Sequence, residues 1–98
     1  MIESFADKAS KDIFDGESST AARGALPNEL LKRARRKLDQ LDVAKDLNDL
    51  AVPPGNNLEA LKGALKGKHS IRINDQYRIV FIFAGGNAKD VEVSKHYE

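Results

Sequence analysis

Residues 69–96 obey a parity rule that leaves the chain little freedom. Ile71, Ile73, Tyr77, Ile79, Phe81, Phe83, Val91 and Val93 are odd-numbered and apolar or aromatic. Ser70, Arg72, Arg78, Glu92, Ser94 and His96 are even-numbered and polar. Successive side chains of a strand point to opposite faces. The pattern therefore predicts three strands, about 69–73, 77–83 and 90–96, sharing one apolar face. A one-residue slip would carry Arg72 into the core, so odd positions must pair with odd. We expect an odd-length loop or a bulge at 74–76, and odd-with-odd pairing again across the turn near 84–87. Val80 and Ile82 break the rule on the even face and need cover of their own.

The apolar face needs a partner layer, and the segment 27–50 can supply it. Leu31, Ala34, Leu38, Leu41 and Ala44 recur at helical spacing. Pro27 or Asn28 opens this helix, and Glu29 falls in its first turn, where a carboxylate suits the helix dipole. A break near Asp42 and a short second helix to Leu50 are expected. Upstream, "ADKASKDIFDG" reads as a short helix stopped by Gly16. "MIESF" reads as a first strand, and "ESSTAARGALP" and "PPGNN" (53–57) as loops. The outcome is an α+β domain, with two or three N-terminal helices on one face of a small antiparallel sheet. At 98 residues there is room for one core, so 1–98 is expected to be a single domain.

Composition narrows the chemistry. Cysteine is absent, which removes disulfides, thiolate metal sites and thiol nucleophiles. Two histidines make a dedicated metal centre an unfavourable expectation, and no cofactor is expected. No apolar run has the length of a membrane span, and the first residues do not form a secretory signal, so a cytoplasmic protein is expected. The net charge of +1 conceals segregation: "KRARRK" (32–37) holds five basic residues and no acid. Residues 38–59 carry five acids and one lysine. From Lys62 onward seven basic residues face four acids. Such patches, rather than the mean, govern binding of polyanions.

The even face of the sheet would carry Arg72, Arg78 and His96 away from the helices. Just upstream, "LEALKGALKGKHS" adds Glu59, Lys62, Lys66 and Lys68. These are the parts needed to cleave RNA without a metal. A 2′-hydroxyl attacks the adjacent phosphorus, a base takes its proton, an acid protonates the leaving 5′-oxygen, and cations stabilise the charge on the phosphate. A carboxylate serves as base, a histidine as acid, and arginine as a permanently charged phosphate fork. Each residue alone also has an ordinary reading: Glu59 and Lys62 as a solvated pair, His96 as a terminal side chain, Tyr97 as a lid on the sheet end. His69 reads as structural or as a surface contact. "KRARRK" reads as the wet side of an amphipathic helix or as a polyanion-binding surface through Lys32, Arg33, Arg35, Arg36 and Lys37.

The span from "LEALKG" through "HSIRINDQYRIVF" to "VEVSKHYE", with "MIESFADK" and "LDQLDVAKDLNDLAVPPGNNLEALKG", resembles the RelE/ParE superfamily of bacterial toxins, most closely its HigB (plasmid maintenance killer) branch. The loop at 15–26 has no counterpart in the resemblance. It implies a RelE-like fold and a ribosome-dependent messenger RNA endonuclease acting on the 70S ribosome, for which Lys32, Arg33, Arg35, Arg36 and Lys37 are the expected ribosomal RNA contact. It also implies a HigA-type helix-turn-helix antitoxin and operator DNA bound only through the complex. By the same resemblance, Glu59 is the base, Lys62 and Arg72 contact phosphate with Lys66 and Lys68 nearby, and Arg78 clamps the transition state. His96 donates the proton and Tyr97 orients the substrate. Many HigB relatives end in Asp-Tyr-His and several have histidine at the Glu59 position. The Glu59 and Lys95-His96-Tyr97 set resembles the YoeB branch, so the division of labour among Glu59, His96 and Tyr97 stays open. Two rival readings are a ParE-like toxin directed at gyrase and a catalytically weak operator-binding corepressor.

Overall fold

The computed structural model describes residues 1–95. Three helices come first: α1 (Lys8–Asp15), α2 (Thr20–Ala25) and α3 (Asn28–Val43). A four-stranded antiparallel sheet follows in the order β1 (Glu59–Ala60), β2 (His69–Arg72), β3 (Tyr77–Ala84) and β4 (Asn87–Lys95). Among the described residues no helix is long and apolar enough to cross a membrane.

Local chemistry sets the helix ends. Asp7 caps α1 by accepting from the Ser10 amide, and Gly16 ends it at φ 78°, a left-handed conformation that glycine adopts without a Cβ penalty. The expected loop "ESSTAARGALP" contains α2 instead. Ser19 accepts from the Ala22 amide as N-cap, and Ala22 and Leu26 are buried. Six residues are too short to display a helical period, so tertiary burial decided this element. The stripe of α3 is as expected: Ala34, Leu38, Leu41 and the following Ala44 are buried. The chain then makes a 3-10 turn at Leu47–Ala51, closed by a reciprocal capping box between Asp46 and Asp49. A second 3-10 turn, Pro54–Asn56, lies inside the expected loop.

The odd face of the sheet meets these helices. Ile71, Ile79, Phe81, Val91 and Val93 pack with Ile13, Leu26, Leu38 and Leu41 in one core. His69 lies on this side, its ring centroid 6.4 Å from that of Phe81, and its Nδ1 is buried without a hydrogen-bond partner among the described residues. At the first hairpin Ile71 pairs with Ile79 and Arg72 with Arg78, the predicted register. The loop is Asn74-Asp75-Gln76, closed by the Ile73 amide donating to the Tyr77 carbonyl at 2.9 Å. Asn74 Oδ1 accepts from the Gln76 and Tyr77 amides and stands in for a turn bond.

The second hairpin departs from expectation. Phe83 pairs with Ala88 and Ala84 with Asn87, so the Gly85-Gly86 turn pairs odd with even. Both glycines have positive φ, 60° and 79°, which suits a two-residue turn whose twist matches the strands. Parity is restored by a register shift beyond Val80, since Ile79 pairs with Val93. Asp90, at φ 50°, lies in the shifted stretch. The "MIESF" segment forms two isolated parallel bridges, Ile2 to Ala88 and Phe5 to Val91, rather than a strand. With the Ser10 hydroxyl accepting from the Val93 amide at 2.8 Å, it covers the outer edge of β4.

Candidate active site

The register builds the site. Glu59 pairs with Ser70, and Ser70 lies two residues before Arg72 on one strand. Arg72 lies opposite Arg78 on the next. Paired and alternate residues share a face, so Glu59, Ser70, Arg72 and Arg78 project from the side away from the helices. They line one cavity of about 340 Å³ together with Asn57, Asn74, Asp75 and Tyr77.

Two arginines held directly opposite one another repel. The hydrogen-bonded closing pair Ile73–Tyr77 makes Arg72–Arg78, by alternation, a non-hydrogen-bonded pair, the geometry with the closest side chains. Arg72 is partly neutralised by an ion pair with Asp75, but both groups are well exposed. Arg78 has no such relief: its Nε is buried and finds no hydrogen-bond partner among the described residues. A cationic fork with an unspent donor, beside a carboxylate, can hold an anionic oxygen and exchange a proton next to it.

The other expected residues distribute differently. β1 is only two residues long; the Leu61 amide still donates to the Lys68 carbonyl, and a 3-10 turn at Gly63–Leu65 then carries the chain across to β2. Lys62, Lys66 and Lys68 belong to this connection and do not line the cavity. His96 and Tyr97 lie outside the described residues. "KRARRK" does not act as one surface. Arg35 folds inward, its Nε donating to the Ile13 carbonyl at 3.2 Å near the end of α1, where a cation suits the dipole. Lys32 stays exposed at the margin. Arg33, Arg36 and Lys37 line a second depression, of about 610 Å³, that meets the first at Arg72, Asn74 and Asp75.

Sequence reasoning passed over Asn57, Asn74, Asp75 and Tyr77. The signal for Asn74 and Asp75 was present, because a short hairpin loop between the strands that carry Arg72 and Arg78 sets its own side chains beside both arginines. Asn57, left-handed at φ 47°, owes its place to the turn before β1. Asn56, fully buried, donates through Nδ2 to the Leu50 carbonyl and Gln40 Oε1, both at 3.1 Å, and accepts from Lys37. It ties the wall of the second depression to α3.

Comparison with known proteins agrees with this architecture. A family model described as RelE-like toxin of type II toxin-antitoxin system HigB matches residues 3–96. Toxin HigB-1 of Vibrio cholerae serotype O1 is 35% identical over 96 residues, covering 98% of both chains. An uncharacterised Haemophilus influenzae protein is 34% identical over 71 residues, covering 72% of this chain and 70% of its own. A solved YoeB-YefM complex from Staphylococcus aureus contains a chain of the same fold, with TM-score 0.61 at 18% identity and 99% coverage of each. The match of the family model over nearly the whole described length, together with the full-length relative, assigns the chain to the HigB family of RelE-like toxins of type II toxin–antitoxin systems.

Proposed function

We propose that the protein is a ribosome-dependent messenger RNA endoribonuclease that arrests translation in the cytoplasm. The observation that carries the reading is the convergence of Glu59, Arg72 and Arg78 on one cavity of the open sheet face. Glu59 takes the proton of the 2′-hydroxyl as its oxygen attacks the adjacent phosphorus. Arg78 and Arg72 hold the non-bridging oxygens as negative charge grows on them. The P–O5′ bond breaks, the 5′-oxygen takes a proton from His96, and a 2′,3′-cyclic phosphate remains. Tyr97 orients the substrate base, and Lys62 contributes charge from beyond the cavity. A HigA-type helix-turn-helix antitoxin neutralises the toxin, and the two together bind operator DNA.

The test is expression of the protein without antitoxin, followed by mapping of messenger 5′ ends. Growth arrest with cuts in codon register, lost in Arg78→Ala and His96→Ala, is the expected result. Arrest without messenger cleavage would transfer the protein to a gyrase-directed class. No arrest at all would leave operator binding as its role.

A further inference from the structure

The second depression has a composition that a solvated helix face does not explain. Arg33, Arg36, Lys37 and Gln40 are spaced i, i+3, i+4 and i+7, so one face of α3 presents all four. With Arg72 the lining has four cations against one carboxylate, Asp75, which is engaged with Arg72. None of the three α3 cations forms an ion pair with a carboxylate of the described residues.

Two of these side chains, Arg33 and Lys37, are also held in place. Arg33 Nη1 reaches the Ile73 carbonyl at 3.4 Å, which steers its guanidinium to the β2–β3 turn. Lys37 Nζ donates to Asn56 Oδ1, and Asn56 is itself anchored by two backbone carbonyls. Burial, and then the charge of Arg33, push the Lys37 ammonium below its ordinary pKa. Cations gathered this way relax when an anion enters between them. Because the two depressions share Arg72, Asn74 and Asp75, an anion in the second is continuous with one in the first.

We propose that Arg33, Arg36 and Lys37 form a second phosphate subsite, which grips the backbone of the substrate RNA at a linkage flanking the scissile one. The inference rests on the endoribonuclease reading and assigns these three residues to the messenger rather than to the ribosome. Arg72 is the bridge between subsites, and a phosphate arriving there displaces Asp75.

The experiment is single-turnover cleavage on programmed ribosomes. Messengers carry one uncharged methylphosphonate at each linkage within three nucleotides of the cut in turn. Wild type is compared with Arg33→Ala/Arg36→Ala, with the single Arg36→Ala variant as a milder form and Lys32→Ala as the off-groove control. Charge-assisted contacts are strong enough that the double variant should slow cleavage of the native messenger about ten- to hundredfold. At one linkage the methylphosphonate should slow the wild type comparably, yet slow the double variant no further. Independent, multiplying effects at every linkage overturn the inference and leave the endoribonuclease reading standing. So does loss of ribosome sedimentation in the double variant without coupling to any linkage, or weakened antitoxin binding with unchanged cleavage. Absence of cleavage by the wild type overturns the functional reading, and the inference falls with it.

Discussion

Arg78 should be a residue whose removal stabilises the fold while ending its activity, and Arg78→Met isolates the two effects. Methionine keeps an unbranched stem and deletes the guanidinium. In the native chain the buried Nε lacks a hydrogen-bond partner among the described residues, a condition that costs about 1–3 kcal/mol. Arg72 directly opposite adds a repulsion of roughly 0.2–1 kcal/mol. Deleting both costs, less what the guanidinium gains from water, should raise the unfolding free energy by about 1–2 kcal/mol. In a domain of this size each kcal/mol moves Tm by about 4–8 °C. Urea unfolding should show a higher midpoint at unchanged slope, which reports a stability change without a change in exposed surface. Cleavage on programmed ribosomes should fall by about 10²-fold or more, as for loss of a transition-state charge contact. Arg72→Met is the comparator. Its guanidinium is half-exposed and already paired with Asp75, so relief of repulsion and loss of a weak pair should cancel within about 0.5 kcal/mol. A midpoint that drops in Arg78→Met refutes the claim that this guanidinium is poorly satisfied in the folded state. Full cleavage by the variant refutes its place in the site.

Other outcomes follow from particular contacts. Lys8, and then Ser19, bond Asp12 and hold its carboxyl below the ordinary value. A lowered folded pKa gives stability that is complete above the unfolded value near 3.9 and is lost as pH falls through the folded one. Asp12→Asn should therefore be less stable than wild type in urea at pH 7 and converge with it in strong acid. Asn56→Leu leaves the Leu50 carbonyl, Gln40 Oε1 and Lys37 without their partner, and should cost about 2–4 kcal/mol by the same unfolding assay. Asp90→Val places a β-branched residue at φ 50° and should cost about 1–2 kcal/mol, while Asp90→Asn stays near neutral. Arg33→Ala removes one of the two influences on Lys37, so the ammonium should titrate at higher pH in nitrogen-detected NMR.

Much of the sheet could be read from the chain because period-two alternation is local information. Ile71, Ile79 and Val93 declared a core face, and the odd-length loop at 74–76 followed from keeping Arg72 out of it. The second hairpin could not be read this way. Gly85-Gly86 favours an even turn, and the compensating shift near Asp90 depends on Ser4, whose hydroxyl accepts from the Asp90 amide 86 residues away in sequence. The helix α2 was hidden for a similar reason, since six residues carry too little period and its burial comes from packing with α1.

The sequence by itself determined the α+β architecture, the amphipathic α3 and the facing pair Arg72 and Arg78, because each follows from side-chain periodicity. Only the tertiary structure decided how the charges divide. Arg35 is drawn to the end of α1, Lys62, Lys66 and Lys68 are carried off by the turn after β1, and Arg33, Arg36 and Lys37 are brought to the rim of the Glu59–Arg78 cavity. The physical reason is that a cation's partners are set by where the backbone places its neighbours. The spacing 32–37 is silent on whether a carbonyl, a buried amide or open solvent will meet each side chain.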